Sequence, residues 1–449
     1  MYDNNTENGL ERKLGPFSLT NIVIANMIGA GIFTTSGLLM KDLGDAWVMI
    51  SLWVIGGIIA LCGALSYGEL GAAIPRAGGE YVFLSKLYNP LFGFLSGWVS
   101  LFAGFSAPIA ASAIGFTVYL TRAFPGLLSL GIFNSPEGAA FLNKFYAILV
   151  IAIFTVIHTR GIKLSASVQN VLTILKVLLI AGLIILGFAF GEGDLDHFSG
   201  GGGFTFDFGG FKIMGLSLMW IMFAYSGWNA SAYLGSEVKN PSRNMPLSLI
   251  LGTGIVLILY ILLNMFYIYA VSPAEMSGVI SIGGLAVGNL FGKSFENVLS
   301  ILISFALFSS LSAFIILGPR VYYSMARDGC FFKFAAEVHK KHGVPSKSIL
   351  LQGALAMIMV LFGTFDQILT YMGFSLGIFP ILSIIGIFKL RRSNMSTFKL
   401  PGFPVVPLFY VVMGISILTL AFFQRPLESC IAITMVLIGI PAYFLFKRR

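Results

Sequence analysis

The sequence predicts an all-α polytopic membrane protein with about 12 transmembrane helices. Hydrophobic residues make up 57% of the 449 residues, charged residues only 10%, and the mean hydropathy is +0.89. This composition is far from that of a soluble globular chain. Nearly the whole chain falls into apolar runs of roughly 20 residues, the length that a helix needs to cross the hydrocarbon core. Few residues are left for a soluble domain.

The apolar runs follow one another along the chain and are numbered here span 1 to span 12. They begin near residues 17, 46, 91, 145, 167, 211, 247, 297, 349, 368, 404 and 427. The leading segment, MYDNNTENGLERKLGPF, is polar and lacks the basic start and short apolar core of a cleaved signal peptide. Residues 1–14 are therefore expected to form a cytoplasmic tail.

The distribution of Lys and Arg predicts that both termini are cytoplasmic, because cytoplasmic loops are enriched in these residues. With twelve alternating spans and the N-terminus inside, Lys176 lies within a span and most of the 28 basic residues lie on the cytoplasmic side. The few expected outside are Lys41, Arg122, Lys144, Lys212, Lys293 and Arg425. The net charge of +9 is thus a topology signal. No nucleic-acid partner is expected, because the basic residues are spread over many short loops.

Residues that carry catalytic or metal chemistry are scattered. The three cysteines, Cys62, Cys330 and Cys430, are far apart, and neither a CxxC nor an HExxH motif occurs. An integral membrane enzyme would need a clustered acid, base or metal constellation. We therefore expect no catalytic residue, no metal and no cofactor.

A glycine-rich connection after span 5 divides the chain into two groups of five spans, with two spans left over. The corresponding segments are 15–190, 211–390 and 403–446. An odd number of spans per group means that the two repeats are inverted relative to each other. Each group opens with an apolar segment interrupted by small residues, IGAGIF in span 1 and FAYSGWNASAYLGSE in span 6. Paired broken helices at corresponding positions indicate the binding site of a transporter.

Gly29 and Gly31 are expected to let span 1 unwind near the membrane centre, which is tolerated where the freed backbone lines a cavity or is buried in protein. Freed N–H groups at a helix start suit a carboxylate, and freed carbonyls suit an ammonium group. A zwitterionic amino acid carries both. The alternative interpretation of the two glycines is close helix packing.

Three runs resemble the amino acid-polyamine-organocation superfamily, and most closely its L-type amino acid transporter branch. They are IGAGIF (28–33), GALSYGELGAAIPRAGGEYVFL (63–84) and FAYSGWNASAYLGSEVKNPSRNMP (223–246). The resemblance implies a five-plus-five inverted-repeat (LeuT-like) fold with broken helices 1 and 6 and two additional helices. It also implies transport by alternating access.

The resemblance also implies which residues bind the substrate. Its carboxylate would be held by the backbone of the unwound segment of span 1 at Ala30 and Gly31, and Gly29 beside them is also expected among the substrate-binding residues. Ala30 stands where many relatives have Ser, which removes a hydroxyl donor.

The α-amino group of the substrate would meet the carbonyls of Met27, Phe223 and Ser226. Phe223 corresponds to the aromatic residue that closes over the substrate, and Asn229 to a polar residue just beyond the break in span 6. Ser226 stands where Gly or Asp is frequent in relatives. The alternative for Phe223 alone is lipid contact or core packing, since the chain has 42 Phe.

Lys176 lies roughly 16 Å into span 5, counting from Ser165 at 1.5 Å per residue. An ionisable group at that depth indicates a functional role. The resemblance supports this, because a lysine here is typical of sodium-independent members and stands where sodium-coupled relatives bind an ion. Its ammonium group would bridge carbonyls of span 1 and Ser309 or Ser310 of span 8. It would act either as a fixed cation mimic or as a titrating, proton-coupling group.

Glu69 is expected to tie the end of span 2 to the following RAGGEY loop, and Glu237 lies too far beyond the break in span 6 to reach a central substrate. A polyamine or cationic amino acid carrier would need a buried carboxylate at the site, and we find no candidate within spans 3, 8 or 10. The sequence therefore favours a sodium-independent secondary transporter of neutral amino acids, acting as an exchanger or a proton-coupled symporter. A non-transporting membrane nutrient sensor is the alternative from another class.

Animal members of the L-type branch use a cysteine between spans 3 and 4 to link a single-span partner. The segment TRAFPGLLSLGIFNSPEGAAFLNK contains no cysteine. We therefore expect no covalent partner, a monomer or a non-covalent dimer, and a location in the cell membrane.

Overall fold

The computed structural model describes residues 10–128, 135–199, 204–279, 282–292, 295–362 and 365–447. Lys293 and residues 1–9 of the expected tail lie outside these ranges. In the described part, the chain is an all-α bundle whose only β pairings are two isolated bridges. This confirms the predicted all-α polytopic fold.

Within the described ranges, twelve helical segments follow one another at the positions of the expected spans, and short helices connect some of them. Nine of the helices there are long and apolar enough to cross a membrane. The first five spans are Pro16–Met27 with Ala30–Leu43, Ala46–Ala73, Pro90–Ala123, Pro136–Thr159 and Ile162–Phe190. Spans 6 to 10 are Phe208–Ala224 with the 3-10 turns Ala230–Tyr233 and Gly235–Glu237, then Pro241–Ala270, Glu296–Arg327, Ser346–Phe362 and Phe365–Arg392. Spans 11 and 12 are Val405–Gln424 and Pro426–Lys447. Glu80–Leu87 lies between spans 2 and 3, and Ile282–Phe291 between spans 7 and 8.

Side-chain caps fix where several spans begin. Asp45 accepts a hydrogen bond from the Val48 N–H at the start of span 2, and Asn89 accepts from two N–H groups at the start of span 3. Ser135 and Asp207 accept from Gly138 N–H and Gly210 N–H at the starts of spans 4 and 6. Each cap satisfies a backbone donor that has no partner within its helix.

Span 1 is broken for two residues only. Its first half ends at Met27, Ile28 and Gly29 are extended, and the second half begins at Ala30. Gly31 therefore already belongs to a helix, so unwinding does not explain why this position is a glycine. A Cβ atom on Gly31 would lie 2.8 Å from the Cα atom of Ala224 in span 6. Gly31 thus serves the close packing of the two broken helices, and not the unwinding expected of it.

Span 6 breaks after Ala224, and the chain continues through a turn into 3-10 helix. Gly227 in this turn has a φ of +101°, a backbone conformation that residues with a side chain rarely adopt. Glycine is required here by conformation, and this position carries the break in span 6.

Span 3 changes to π-helix over Ser100–Ser106 before α-helix resumes at Ala107. Pro108 follows directly and has no N–H to donate. Single π turns inside α-helices occur frequently at functional sites. Ser100, Gly104 and Pro108 of this region line the central cavity described below.

The N-terminal face is the face of the bundle at which span 1 begins. There, Lys13 and Leu14 donate backbone hydrogen bonds to the Glu237 carbonyl over 3.0 and 2.9 Å. Gly78 donates to the Tyr233 carbonyl over 3.0 Å. The start of span 1, the segment after span 2 and the end of span 6 therefore close this face together.

Glu69 does not tie span 2 to the RAGGEY loop, and that expectation is wrong. Its carboxylate accepts from Arg391 Nε at 2.7 Å and Nη2 at 2.6 Å, and also from Ser396 and from the Leu400 N–H. A bidentate, charge-assisted pair with an arginine is stronger than hydrogen bonds to neutral loop groups. Glu69 thus joins span 2 to the connection between spans 10 and 11.

Candidate functional site

Two adjoining cavities lie where the breaks in spans 1 and 6 meet. The larger has a volume of about 120 Å³ and the smaller about 40 Å³. A water needs roughly 10–15 Å³ by this measure, so the larger cavity has room for roughly ten waters, or for the heavy atoms of a small or mid-sized amino acid. Asn26, Pro108, Phe223, Ser226 and Phe314 line both cavities.

The start of the second half of span 1 faces the smaller cavity, which Gly29, Ala30 and Gly31 line. The first N–H groups of an α-helix have no partner within the helix and carry its positive dipole end. These three residues therefore present a site for an anionic group such as a carboxylate.

Carbonyl groups from both breaks lie close to the same cavity. The Met27 carbonyl accepts the Tyr260 hydroxyl at 2.8 Å, and Tyr260 also donates to the Ala224 carbonyl at 3.0 Å. The Phe223 carbonyl accepts the Ser226 N–H at 3.0 Å. A carbonyl oxygen has two lone pairs, so those of Met27 and Phe223 can each accept one further hydrogen bond.

The remaining residues expected at the site also border the cavities. Met27 lines the smaller one, Phe223 and Ser226 line both, and Asn229 lines the larger one. The side-chain amide of Asn229 donates to Glu80 Oε1 at 2.6 Å. The structure thus brings the seven expected residues together around the two adjoining cavities.

Lys176 is fully buried between spans 1, 5 and 8. Its ammonium group donates to the carbonyls of Ile28 at 2.6 Å and Ala25 at 3.2 Å, and contacts Ser310 Oγ at 3.0 Å. Ile28 is the residue at which span 1 breaks, so the cation lies directly against the break. Carbonyl and hydroxyl oxygens are also the ligands of hard cations.

Ser309 lies next to Ser310 but has a different partner. Gln169 donates to the Ser309 hydroxyl at 3.1 Å and to its carbonyl at 3.2 Å. Of the two serines considered for Lys176, Ser310 contacts the ammonium group, while Ser309 joins span 8 to the preceding turns of span 5.

Asn26 is a site residue that sequence reasoning missed. It is 5% exposed, lines both cavities, and its side-chain oxygen has no hydrogen-bond partner among the described residues. A buried polar atom without a partner costs free energy, so it indicates a ligand or water. The signal in the sequence was a polar residue inside an apolar span, three positions before Gly29.

Glu80 is the second residue missed, and it places a carboxylate at the cavity from outside spans 3, 8 and 10. It is 5% exposed, begins the short helix Glu80–Leu87 and lines the larger cavity. Its carboxylate accepts from Tyr67 at 2.9 Å and Tyr233 at 2.7 Å in addition to Asn229. Burial raises the pKa of the Glu80 carboxyl, and the three hydrogen bonds oppose that rise. Its position in a loop sequence gave no sign that the fold would bury it.

Glu237 is buried at the end of span 6 and pairs with Arg320 of span 8. Both contacts, Nε to Oε2 and Nη2 to Oε1, measure 2.9 Å. Glu237 does not line either cavity, in keeping with the expectation that it does not reach a central substrate.

Comparison with known proteins agrees with this architecture. The family model for amino acid permeases matches residues 14–441. The serine/threonine exchanger SteT of Bacillus subtilis (strain 168) is 28% identical over 452 residues, covering 99% of this chain and 98% of that protein. The b(0,+)-type amino acid transporter 1 of Mus musculus is 26% identical over 448 residues, covering 97% and 88%. The cystine/glutamate transporter of Homo sapiens is 26% identical over 441 residues, covering 97% and 85%.

These similarities run along the whole length of the chain and include both broken helices. The family match over residues 14–441 includes both interrupted spans. The chain therefore belongs to the amino acid permease family of the amino acid-polyamine-organocation superfamily and is a multi-pass membrane transporter of amino acids.

Proposed function

We propose that this protein exchanges small neutral L-amino acids across the cell membrane by alternating access, without sodium. The observation that carries this proposal is the pairing of opposite backbone groups at one cavity. Gly29–Gly31, where the helix resumes and its first N–H groups have no intrahelical partner, line the smaller cavity together with Met27 and Phe223, whose carbonyls can each accept one further hydrogen bond. A zwitterion with a short neutral side chain satisfies both sets of groups.

In the bound state, the substrate carboxylate accepts from the N–H groups of Gly29, Ala30 and Gly31. The α-ammonium group donates to the carbonyls of Met27, Phe223 and Ser226. The unpartnered side-chain oxygen of Asn26 adds a further acceptor on the same side. The Phe223 ring covers the substrate, and Asn229 and Ser226 border the space left for its side chain.

Exchange of small neutral substrates is supported by a relative of nearly equal length that exchanges serine and threonine. The serine/threonine exchanger SteT matches 99% of this chain.

Sodium independence is supported by Lys176, whose ammonium group is held by two carbonyls of span 1 and by Ser310 of span 8. A permanent cation at that place performs the structural work of a bound ion. We propose this fixed-cation role for Lys176, with proton coupling through Lys176 as the alternative that the transport assay decides.

Cationic substrates are not favoured, although Glu80 supplies a carboxylate. Its two oxygens already accept from Tyr67, Tyr233 and Asn229, which leaves little acceptor capacity for a substrate ammonium group. Glu80 therefore acts within the protein.

The N-terminal face is proposed to be cytoplasmic, and the C-terminus to lie on the same side, on the evidence of the Lys and Arg distribution. The protein is proposed to work in the cell membrane without a covalent partner, as a monomer or a non-covalent dimer. The connection between spans 3 and 4 contains no cysteine for such a link.

The test is uptake of labelled serine, threonine, alanine and leucine into liposomes that contain the purified protein. Vesicles preloaded with unlabelled amino acid are compared with empty vesicles, in sodium and in choline buffers. We expect uptake that requires preloading and is equal in the two buffers. Uptake into empty vesicles that grows with an inward proton gradient would replace exchange by symport, with Lys176 as the first candidate for the titrating group. Substrate binding without any flux would indicate the sensor alternative.

A further inference from the structure

Glu80 is a buried carboxylate without a cationic partner. No ion pair within 4.0 Å reaches it in the described part of the chain, where the other two buried carboxylates, Glu237 and Glu69, have arginine partners. A lone buried carboxylate is costly unless hydrogen bonds satisfy it. The two oxygens of Glu80 accept from Tyr67, Tyr233 and Asn229, which are all neutral donors.

These donors connect the cavity to the N-terminal face. Asn229 lines the larger cavity directly after the break in span 6. Tyr233 ends the 3-10 turn Ala230–Tyr233 that follows, one turn further toward the N-terminal face. Glu80 therefore holds two successive turns of span 6 through side-chain hydrogen bonds, and Tyr67 holds Glu80 against span 2.

Backbone contacts continue this connection to the surface. The Gly78 N–H donates to the Tyr233 carbonyl at 3.0 Å, the Ala77 N–H donates to Ser236 Oγ at 2.9 Å, and Ala77 and Leu234 form an isolated bridge. A Cβ atom on Gly79 would lie 2.5 Å from the Tyr233 ring, so the two segments are packed tightly. To open toward the N-terminal face, the protein must separate these segments.

The other ionisable groups around Glu80 are neutral or already engaged. Three tyrosines face it, namely Tyr67 of span 2, Tyr233 of span 6 and Tyr410 of span 11. The cations on the other neighbouring spans have partners elsewhere. Arg320 of span 8 pairs with Glu237, and Lys389 of span 10 lies over the Tyr88 ring. A change in the charge of Glu80 would therefore directly alter the hydrogen bonds that Asn229 and Tyr233 of span 6 donate to it.

We propose that the ionised carboxylate of Glu80 is a latch that keeps the cavity closed toward the N-terminal face, and that a proton taken up from the cavity releases Asn229 and Tyr233 so that this face opens. Protonation converts one carboxylate oxygen into an O–H group, which is a weaker acceptor, and removes the negative charge that strengthens the bonds from Tyr233 and Asn229. Glu80 is a positioning residue in this scheme. The proposal rests on the transport function proposed above and adds the group that regulates opening.

The first experiment compares pH profiles of exchange in liposomes for the wild-type protein, Glu80→Gln, and Glu337→Gln as the matched control. Glu337 is an exposed carboxylate that pairs with Lys347 and lies outside both cavities. We expect wild type and Glu337→Gln to show the same pH dependence, and Glu80→Gln to lose it, because the amide resembles the protonated acid. A Glu80→Gln profile that parallels wild type would overturn the proposal.

A second variant keeps the test informative if Glu80→Gln does not fold. Tyr233→Phe leaves the carboxylate but removes a donor that favours its ionised form, so we expect the midpoint of the pH profile to move to higher pH by roughly 0.5–1 unit. An unchanged or lower midpoint contradicts the latch.

The opening of the N-terminal face can also be measured without substrate, as the accessibility of a buried position to a thiol reagent. This measurement tests the role of Glu80 separately from the proposed transport function. Ala232 is buried in the 3-10 turn held by Glu80. In a background with Cys62, Cys330 and Cys430 replaced by alanine, Ala232→Cys reports opening through its reaction with a charged maleimide in detergent. Near pH 8 we expect Glu80→Gln to raise the labelling rate about tenfold over the protein with Glu80, with the ratio approaching one near pH 5. Equal rates at every pH overturn the latch even if transport is confirmed, whereas a pH-dependent ratio in a protein that transports no amino acid overturns only the proposed function.

Discussion

The ammonium group of Lys176 donates a hydrogen bond to the carbonyl of Ile28 over 2.6 Å, at the residue where span 1 breaks. Ile28 directly follows the last residue of the first half of the span, so its carbonyl has no N–H partner in a continuing helix turn. Ala25 one turn earlier is held by the same ammonium group at 3.2 Å. The Ser310 hydroxyl lies within donating distance of the same two carbonyls, at 2.6 Å from Ile28 and 3.2 Å from Ala25. The lysine and this serine together therefore replace the hydrogen bonds that the broken helix lacks.

Lys176→Ala is expected to abolish most transport and to lower stability. Without the ammonium group, the single Ser310 hydroxyl proton can satisfy only one of the buried carbonyls of Ala25 and Ile28, and the other is left unpaired at a cost of about 1–3 kcal/mol. Lys163→Ala is the matched control, since Lys163 is exposed on the same helix. Exchange rates, pH profiles and melting temperatures of both variants are compared. Wild-type exchange with an unchanged pH profile in Lys176→Ala would remove both roles considered for this residue.

Tyr260→Phe is expected to loosen the junction of the two broken helices. The Tyr260 hydroxyl donates to the Met27 and Ala224 carbonyls at 2.8 and 3.0 Å, and its loss should cost about 1–2 kcal/mol. Tyr267→Phe on the same helix is the control, because the Tyr267 hydroxyl is buried and has no hydrogen-bond partner among the described residues. We expect Tyr267→Phe to be neutral or stabilising in thermal unfolding. Equal losses in the two variants would show that the shared hydroxyl does not join the helices.

Gly31→Ala is expected to disturb the site, whereas Gly29→Ala should fold normally. A Cβ atom on Gly31 would meet the Ala224 backbone at 2.8 Å, while at Gly29 the nearest atom is Ser310 Oγ at 3.8 Å. Overpacking of this kind typically costs about 1–3 kcal/mol. Gly29 has a negative φ, so alanine there meets no backbone strain. The melting temperatures of the two variants are compared with that of the wild-type protein. A Gly31→Ala protein that is as stable as wild type or more stable would contradict the close packing.

The sequence could predict the features that depend on neighbouring residues, but not the contacts between residues that are far apart along the chain. The spans and the breaks in spans 1 and 6 depend on local composition, and both were predicted. Gly31 shows the limit, since its reason is the backbone of Ala224, which lies 193 positions further along the chain. No local pattern reports such a contact.

The same limit explains Glu80 and Glu69. The local sequence predicts that Glu80 lies in a loop. The fold nevertheless buries it, and Tyr67 and Tyr233 from two other segments donate hydrogen bonds to its carboxylate. Glu69 lies beside the RAGGEY loop in sequence, but Arg391 from span 10 offers it a bidentate partner. Lys176 was identified because a charge inside an apolar span is conspicuous wherever its partners are.

The buried Glu80 carboxyl makes a prediction for stability against pH. Burial raises its pKa in the folded protein above the ordinary value of 4.5, so the folded state binds this proton more tightly than the unfolded state. This group therefore lowers the free energy of unfolding as pH rises from about 4.5 through its folded pKa. Wild-type stability relative to Glu80→Gln should fall with rising pH across that range. Melting curves of the two proteins that shift in parallel with pH would show that Glu80 does not titrate there.

The buried pair of Arg320 and Glu237 offers a test of how the N-terminal face is held. Removing one partner, in Arg320→Met or Glu237→Gln, leaves a buried polar or charged group unpaired and should cost about 3–5 kcal/mol. The double variant should be less destabilised than the sum of the two, because neither charge then remains buried alone. The exposed pair of Lys347 and Glu337 serves as the control, with a coupling of about 1 kcal/mol or less. Thermal unfolding of the four proteins of each cycle measures both couplings. If the buried cycle gives a coupling no larger than the exposed one, the ion pair does not hold the end of span 6 against span 8.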